Sequence, residues 1–396
     1  MEVCMNEANI PFWRDERVLK WIAQIAFFIG VVAFLWYLYH NMITALAQRG
    51  LLPSFHFLSL TAGFDIGEHL IPYDRSSTYG RAFLVGILNT IEVNFLGIIF
   101  ATILGIIVAL MRLSTNWLLN KIASIYIEFI RNIPLLVLLV FWYTGVFLQM
   151  PRLKEAKILP GPTIISNRGI ALPWGKPTAT WEIYLYVLLA GLILAAIVWW
   201  RLTLIGKRTG RMPLVSVWST LTFLGVAIVG WIGIVLFAHQ APLALDTPAI
   251  KGLRTVGGLE LTPEFMALFS GLVLYTAAFI AEVVRAGIQS VSKGQVEAAR
   301  ALGLDAFQTM RLVVFPQALR VIVPPMTSQY LNLTKNSSLA VFIGFPDLYS
   351  VAGTIHNQTG RAVEVTVLMM AVYLSFSLAT SVFMNWYNKK IRLVER

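Results

Sequence analysis

Seven separate stretches of this chain are apolar enough and long enough to cross a lipid bilayer as helices. A hydrocarbon core about 30 Å thick requires roughly 20 mostly apolar residues per helix. The stretches cover residues 21–39, 83–111, 126–148, 183–200, 214–237, 264–284 and 363–387. Only 13% of the residues are charged, against about 25% in soluble proteins. The sequence therefore predicts an all-α, polytopic transmembrane helical bundle.

The distribution of Lys and Arg predicts the orientation of this bundle. With both termini and alternate loops in the cytoplasm, most of the 31 Lys and Arg residues fall on that side, including those at 14–20, 207–211 and 389–396. This is the positive-inside bias, so the net charge of +11 reflects topology and not nucleic-acid binding. An even number of crossings then requires an eighth span at 323–345. That span carries polar residues, which we expect to face the bundle interior or a water-filled path.

The basic residues before the first apolar stretch are also compatible with a secretory signal peptide. The apolar core of a signal peptide is typically 7–15 residues long. Because the first apolar stretch is longer than this, we expect an uncleaved first helix with its N-terminus in the cytoplasm.

One cytoplasmic loop, QVEAARALGLDAFQTMRLVVFPQALR at 295–320, is polar enough to fold in water. Helix formers at 295–302 predict a short helix that ends at Gly303, since a left-handed residue suits a helix C-terminus. Asp305 can cap a second helix with an apolar face at 307–314, which Pro316 interrupts. The residues alone leave two interpretations open: a knob that enters a groove of another protein, or an amphipathic hairpin on lipid headgroups.

The segment EAARALGLDAFQTMRLVVFP resembles the EAA motif of binding-protein-dependent ABC importer permeases. That motif sets Glu-Ala-Ala, Gly, an aliphatic residue and Pro at fixed spacing. Its positions are filled here by Glu297, Ala298, Ala299, Gly303, Val313 and Pro316, with Phe315 in place of the usual Leu. The segments NTIEVNFLGIIFATILGIIVALMRLS, YIEFIRNIPLLVLLVFWY and PPMTSQYLNLTKNSSLAVFIG are similar to the polar and general amino-acid permeases of that superfamily. The resemblance covers 78–143 and 263–390.

The resemblance implies a type I ABC importer permease core of five helices, within about eight spans in a bacterial cytoplasmic (inner) membrane. An N-terminal helix with an external loop (1–77) and an insertion with two further transmembrane helices (151–262) are added to it. The core itself is expected at 78–150 and 263–396, with the EAA loop at about 292–320. The two additions are similar to those of the larger permease of the general L-amino acid transporter.

In such permeases the EAA loop docks a dimer of cytoplasmic ABC ATPases. The docking residues implied for this chain are Glu297, Ala298, Ala299, Arg300, Ala301 and Gly303. No G-x-x-x-x-G-K-[ST] phosphate loop is present in the sequence, so we expect no cofactor here, no enzymatic activity, and ATP and Mg²⁺ bound by the partner ATPase.

The other implied partners are a second permease subunit and a periplasmic amino-acid-binding protein, besides membrane lipid; nucleic acid is not expected. The second permease is either a different chain or a second copy of this one. The external loops are too short to form a two-lobed binding protein, so that protein must be a separate chain.

Polar residues on two spans are candidates for the path of the solute. They are Asn89, Glu92 and Asn94 on the second span, and Asn332, Lys335, Asn336 and Ser337 on the eighth-span candidate at 323–345. A zwitterionic amino acid that leaves water needs polar groups to replace its hydration. The alternative is structural, with Glu92 and Lys335 paired to each other or to backbone groups.

Two further function classes compete with the importer. The His residues fall in loops or at helix ends, which excludes a multi-haem protein. An ion-gradient-driven secondary amino acid transporter is the stronger alternative, because polar, broken helices at mid-membrane suit it equally. Such a carrier has no use for an ATPase-docking loop.

Overall fold

The computed structural model describes residues 16–48, 50, 53–209, 214–252 and 254–391. Arg14, Arg211, Arg392 and Arg396, which the topology assigns to the cytoplasm, lie outside these residues. The chain divides into two compact units. The first is formed by residues 1–90 with 346–379, and the second by residues 91–345 with 380–396. Within the described residues, seven helices are long and apolar enough to cross a membrane, or eight if one bent pair counts as a span.

The first unit contains helix α1 (Glu16–Gln48), a 3₁₀ turn (Phe55–Ser59) and the start of helix α2 (Tyr79–Leu113). Every apolar side chain of α1 in the window that fits a membrane is exposed. Residues 57–73 fold onto the start of α2 and around Leu348 and Ile355, which form a buried apolar cluster with Val85. The loop is thus an ordered part of this unit.

In place of the straight span expected at 126–148, helix α3 (Trp117–Arg131) and helix α4 (Leu135–Val140) form a bent pair, which is either one broken span or a re-entrant loop. The polypeptide bends by 107° between α3 and the α4 segment, which continues as a π-helix at Phe141–Phe147. Pro134 explains the bend, since proline lacks an N–H and disfavours a helical conformation in the residue before it. Hydropathy alone does not register this change of direction.

The insertion contains the two expected helices, α5 (Trp181–Thr209) and α6 (Val215–Ala238). Gly191 and Gly230 let them pack closely, and the Tyr184 hydroxyl donates to the carbonyl of Ala227 at 3.3 Å. Small residues that permit such close approach are typical of helix contacts in membranes.

Among the described residues, eight short strands flank this helical hairpin, and the sequence patterns did not predict them. Before α5 lie β1 (Lys157–Leu159), β2 (Thr163–Ser166), β3 (Gly169–Leu172) and β4 (Trp174–Pro177). After α6 lie β5 (Leu243–Asp246), β6 (Ala249–Lys251), β7 (Arg254–Val256) and β8 (Leu259–Leu261). Antiparallel pairing of β3 with β8 and of β4 with β5 ties the two flanks together. Strand β8 completes a four-stranded sheet of order β1-β2-β3-β8.

Helix α7 (Pro263–Gln289) is the most buried of the membrane-length helices. It is followed by α8 (Lys293–Ala301), α9 (Ala306–Thr309), a π-helical turn (Met310–Val314) and α10 (Phe315–Asn336). A 3₁₀ segment (Ser337–Ile343), helix α11 (Leu348–Thr359) and helix α12 (Ala362–Ile391) complete the chain. The division of the chain into segments 1–77, 78–150, 151–262 and 263–396 stays a prediction.

The core of the second unit lies where α7 meets the later half of α2, α3 and α10. Close contacts depend on two glycines of this core: a side chain at Gly105 would overlap Ile280, and one at Gly287 would overlap Ile322. The Gly287 contact holds α7 against α10 immediately before and after the polar loop. That loop is therefore anchored at both ends.

Candidate functional site

The polar loop forms a two-helix hairpin made of α8, a tight turn and α9. Gly303 has a φ of +82°, as the sequence predicts. Its N–H donates to the Arg300 carbonyl at 2.9 Å, and the N–H of Leu304 donates to the Ala299 carbonyl at 3.2 Å. These two bonds are the Schellman arrangement that satisfies carbonyls at a helix end. Their geometry requires the left-handed residue.

The second helix begins at the predicted cap. The Asp305 carboxylate accepts from the Gln308 N–H at 2.7 Å, and the Gln308 side-chain oxygen accepts from the Asp305 N–H at 3.1 Å. This reciprocal capping box satisfies two donors of the first turn. It defines where the second arm of the hairpin starts.

The expectation that Pro316 interrupts this second helix is wrong. A single helical segment runs from Ala306 to Ile343. Pro316 follows the π-helical turn and lies in the first turn of α10, where a missing N–H costs little. The wider π turn relieves the clash of the proline ring with the preceding turn. The arm of the hairpin is consequently one piece with a membrane-length helix.

Exposure divides the docking residues implied by the motif. Ala299 is buried, whereas Glu297, Ala298, Arg300, Ala301 and Gly303 are exposed. Two large apolar side chains flank the turn, Leu302 at 82% and Phe307 at 70% exposure. The sequence analysis did not single out Leu302, although a large apolar residue beside a turn glycine in a polar loop was the available signal.

An ion pair lies on α7 where that helix approaches the hairpin. The Arg285 Nε donates to the Glu282 carboxylate at 3.0 Å, as their spacing of three residues on one helix allows. The Arg285 guanidinium also donates to Gln289 in the last turn of α7. These bonds stiffen the end of α7.

The candidate path residues of α2 have different surroundings. Asn89 is buried, and its amide group donates to the carbonyls of Glu68 and Pro346, each at 2.9 Å. Both amide hydrogens are used, which favours a structural role for Asn89. Asn94 is also buried, but its side-chain oxygen has no hydrogen-bond partner. Glu92 is half-buried.

On α10 the predicted polar face is largely uncovered. Asn332 and Lys335 are exposed, Asn336 is half-buried, and Ser337 is buried with its hydroxyl donated to the Thr334 carbonyl at 2.8 Å. The α2 and α10 helices meet through Gly97 and Leu333. Because successive helical residues are rotated by about 100°, the polar face of α10 is turned away from α2.

The structural alternative for the two membrane charges has no support in this arrangement. The ion pairs of the described residues join Lys20 to Glu16, Arg75 to Asp65, Arg285 to Glu282 and Arg361 to Glu364, and none involves Glu92 or Lys335. Polar residues in a membrane-length helix must face protein or water. Asn332 and Lys335 therefore form an exposed polar face on a membrane-length helix.

Metal chemistry has no candidate centre in the described part of the chain. None of its His, Cys, Asp and Glu residues gather in groups of three or more that could hold a metal ion.

Comparison with known proteins places these features in a family. Residues 101–393 match the model of the family described as binding-protein-dependent transport system inner membrane component. The general L-amino acid transport system permease protein AapQ of Rhizobium johnstonii is 46% identical over 383 residues, 96% of this chain and 94% of that protein.

Two further relatives are similar along almost the whole chain. The putative amino-acid ABC transporter permease protein YhdX of Escherichia coli is 44% identical over 96% of each chain. The glutamate/glutamine/aspartate/asparagine transport system permease protein BztB of Rhodobacter capsulatus is 40% identical, again over 96% of each chain. The insertion and the N-terminal helix thus fall within the matched length.

Proposed function

Because the chain belongs to the family of binding-protein-dependent transport system inner membrane components, we propose that it is the permease subunit of an ATP-driven importer of L-amino acids. The names of the three relatives support the class of solute. The family match does not support the alternative of an ion-gradient-driven carrier. The chain supplies the membrane path and a partner supplies the energy.

The docking hairpin carries this proposal. It combines a turn held by Gly303, a capped second arm and two exposed apolar side chains. Large apolar side chains exposed side by side on a polar loop are typical of a surface that contacts a partner. Since the second arm continues into α10, force applied at the hairpin reaches the helix that carries Lys335. The proposed partner is a dimer of cytoplasmic ABC ATPases, which bind ATP and Mg²⁺.

A second permease subunit accounts for the exposed polar face of α10. Asn332 and Lys335 belong to a membrane-length helix yet are exposed. In the proposed assembly this face lines a path between two permeases, with Glu92 and Asn94 as further candidates on α2. A periplasmic amino-acid-binding protein delivers the solute from the other side. Both termini of the chain lie in the cytoplasm.

Purification and reconstitution test the function. In mild detergent the chain should copurify with an ATPase and a second permease chain. In proteoliposomes, amino acid uptake should require ATP and the binding protein and should persist when ionophores abolish ion gradients. Uptake that follows an ion gradient and ignores ATP would overturn the proposal.

The tip of the hairpin offers a sharper test of docking. Replacement of Leu302 and Phe307 by Ala should weaken copurification of the ATPase at least about tenfold, since truncated apolar anchors typically cost 1–2 kcal/mol or more each. Leu245→Ala is the matched control, because Leu245 is 73% exposed but lies on strand β5 of the insertion. Equal ATPase recovery from the double variant and the control would show that the tip is not the contact.

A further inference from the structure

An apolar cavity of about 520 Å³ lies within the second unit, beside the docking hairpin. Four helices and the π-helical turn form its wall. Helix α2 contributes Thr102, Ile106 and Leu110, which recur every four residues and so form one stripe. This stripe spans about 12 Å along the helix axis. The cavity is consequently long and narrow.

The floor of this cavity is buried and its mouth is apolar. Val284, Val323 and Met326 on the floor are each less than one-tenth exposed, whereas Leu110, Phe315 and Phe383 at the rim are about half exposed. All of these positions belong to membrane-length helices. The mouth therefore opens toward the hydrocarbon of the bilayer.

Two of the polar side chains in the wall, Thr102 and Tyr330, already have hydrogen-bond partners. The hydroxyls of Thr102 and Tyr330 bond to each other at 2.9 Å, and Thr102 also donates to the Ile98 carbonyl at 2.6 Å. No charged side chain lines the cavity. An amino acid or a nucleotide would lose its hydration here without replacement, which excludes the transported solute and ATP as occupants.

Basic residues follow two of the wall residues along the chain. Lys389 and Lys390 follow the wall residue Tyr387 within one turn of α12, and Arg311 follows the wall residue Met310. The last two turns of α2 and α12 contain no Asp or Glu, and Glu282 on α7 is neutralised by Arg285. Clusters of Lys and Arg at the end of membrane helices favour anionic lipid headgroups.

From this combination we propose that the cavity binds one acyl chain of an anionic phospholipid, whose headgroup lies on Lys389, Lys390 and Arg311. The acyl chains of one leaflet extend about 15 Å, half of the hydrocarbon thickness, which matches the 12 Å stripe. The bound chain contacts Met310 and Phe315, at the joint between the hairpin and α10. A bound lipid thus stiffens this joint. That last consequence rests on the proposed function, whereas the binding itself does not.

Photolabelling in nanodiscs tests the site. The chain, with the subunits that copurify with it, is placed in phosphatidylcholine nanodiscs that contain a small fraction of phosphatidylglycerol with a diazirine on one acyl chain. Label should concentrate on residues 102–110 of α2 and 315–330 of α10. Label spread evenly over the exposed apolar faces of α1, α5 and α6 would overturn the proposal. Crosslinks from residues 102–110 or 315–330 to a second permease chain that fills the cavity would overturn it as well.

Two sets of variants separate the acyl chain from the headgroup. Val323→Phe fills the floor and should reduce cavity label at least about fivefold; Val284→Phe repeats the test from α7. Lys389→Gln with Lys390→Gln should lower the preference for phosphatidylglycerol over phosphatidylcholine by about tenfold or more. Lys207→Gln with Arg208→Gln, at the end of α5, is the matched control and should leave it unchanged. Wild-type labelling in the filled variants, or equal loss in the control, would refute the site.

Discussion

Replacement of Gly303 by Val tests whether the docking hairpin depends on the backbone conformation of this residue, because steric overlap at position 303 is not the cause of any effect. The φ of +82° at Gly303 lies in the left-handed region, and no atom lies within 4 Å of the Cβ position that a side chain would occupy. The Cβ of a substituted residue therefore meets no neighbour, and the expected cost is mainly conformational. The two Schellman hydrogen bonds are lost if the backbone leaves this region.

The size of the effect follows from the left-handed conformation. An L-residue other than Gly pays roughly 1–2 kcal/mol there, and a β-branched residue stands at the upper end. About 2 kcal/mol corresponds to roughly a 30-fold smaller population of the native turn, because 1.4 kcal/mol is a factor of ten. Asn tolerates the left-handed region, so Gly303→Asn should retain most of the function.

Coupling is measured as amino acid uptake per ATP hydrolysed in proteoliposomes that contain the whole importer. Gly303→Val should reduce this ratio by tenfold or more while the permease remains in the membrane at normal abundance. Gly294→Val is the matched control, since Gly294 also has open space around it but lies inside α8 without a positive φ. It should keep wild-type coupling.

Two outcomes would contradict this reasoning. Normal coupling in Gly303→Val would mean that the hairpin turn has no role in energy transfer. Equal damage in Gly303→Asn and Gly303→Val would mean that a partner contacts position 303 directly and that backbone conformation is not the cause.

Three further predictions follow from other parts of the structure. Gly287→Val should lower the stability of the purified protein by about 1–3 kcal/mol through overpacking, as measured by thermal unfolding. The control is Gly225→Val on α6, which should be neutral because no atom lies within 4 Å of its Cβ position. Burial raises the pKa of Asp347 to about 7, so the native state is favoured while this carboxyl is protonated. That stabilisation is lost as the pH rises from about 4 through 7. Asp347→Asn retains an N-cap acceptor but cannot titrate, so the melting temperature of this variant should change less with pH over the same range. Lys335→Met should reduce uptake at least about tenfold if Lys335 contacts solute, since hydrogen bonds to charged groups are worth roughly 1.5–3 kcal/mol. Lys335→Arg should retain more of the uptake. Loss of protein abundance alone would favour a structural role for Lys335, and Glu92→Gln is assessed in the same way.

The hairpin was the part of the site most accessible to sequence reasoning. Its cues are local: Gly303 at a helix end, Asp305 three residues before Gln308, and a polar composition inside an apolar chain. Pro316 was misjudged because the preceding π-helical turn absorbs it. A π-helical turn has no reliable local signature, since it depends on how the surrounding helices pack.

The path residues show the opposite situation. The sequence named Asn89 and Glu92 as polar candidates on one span, but only the fold shows that the amide of Asn89 bonds to Glu68 and Pro346. Likewise, the sequence named Asn332 and Lys335 on another span, but it did not show that Leu333 is the residue turned toward α2. Faces follow from periodicity, whereas the direction of each face is set by the neighbouring helices.

The sequence alone predicted the membrane class, seven to eight membrane-length helices and the two-helix hairpin at 295–320, and the orientation inferred from Lys and Arg stays a prediction. Each depends on composition or on residues within a few positions of one another, and hydrocarbon imposes helical structure on any long apolar segment. The tertiary structure alone decided the 107° bend after α3, the pairing of β3 with β8 across the insertion and the cavity beside the hairpin. These features arise from contacts between distant segments, and such contacts leave no local pattern along the chain.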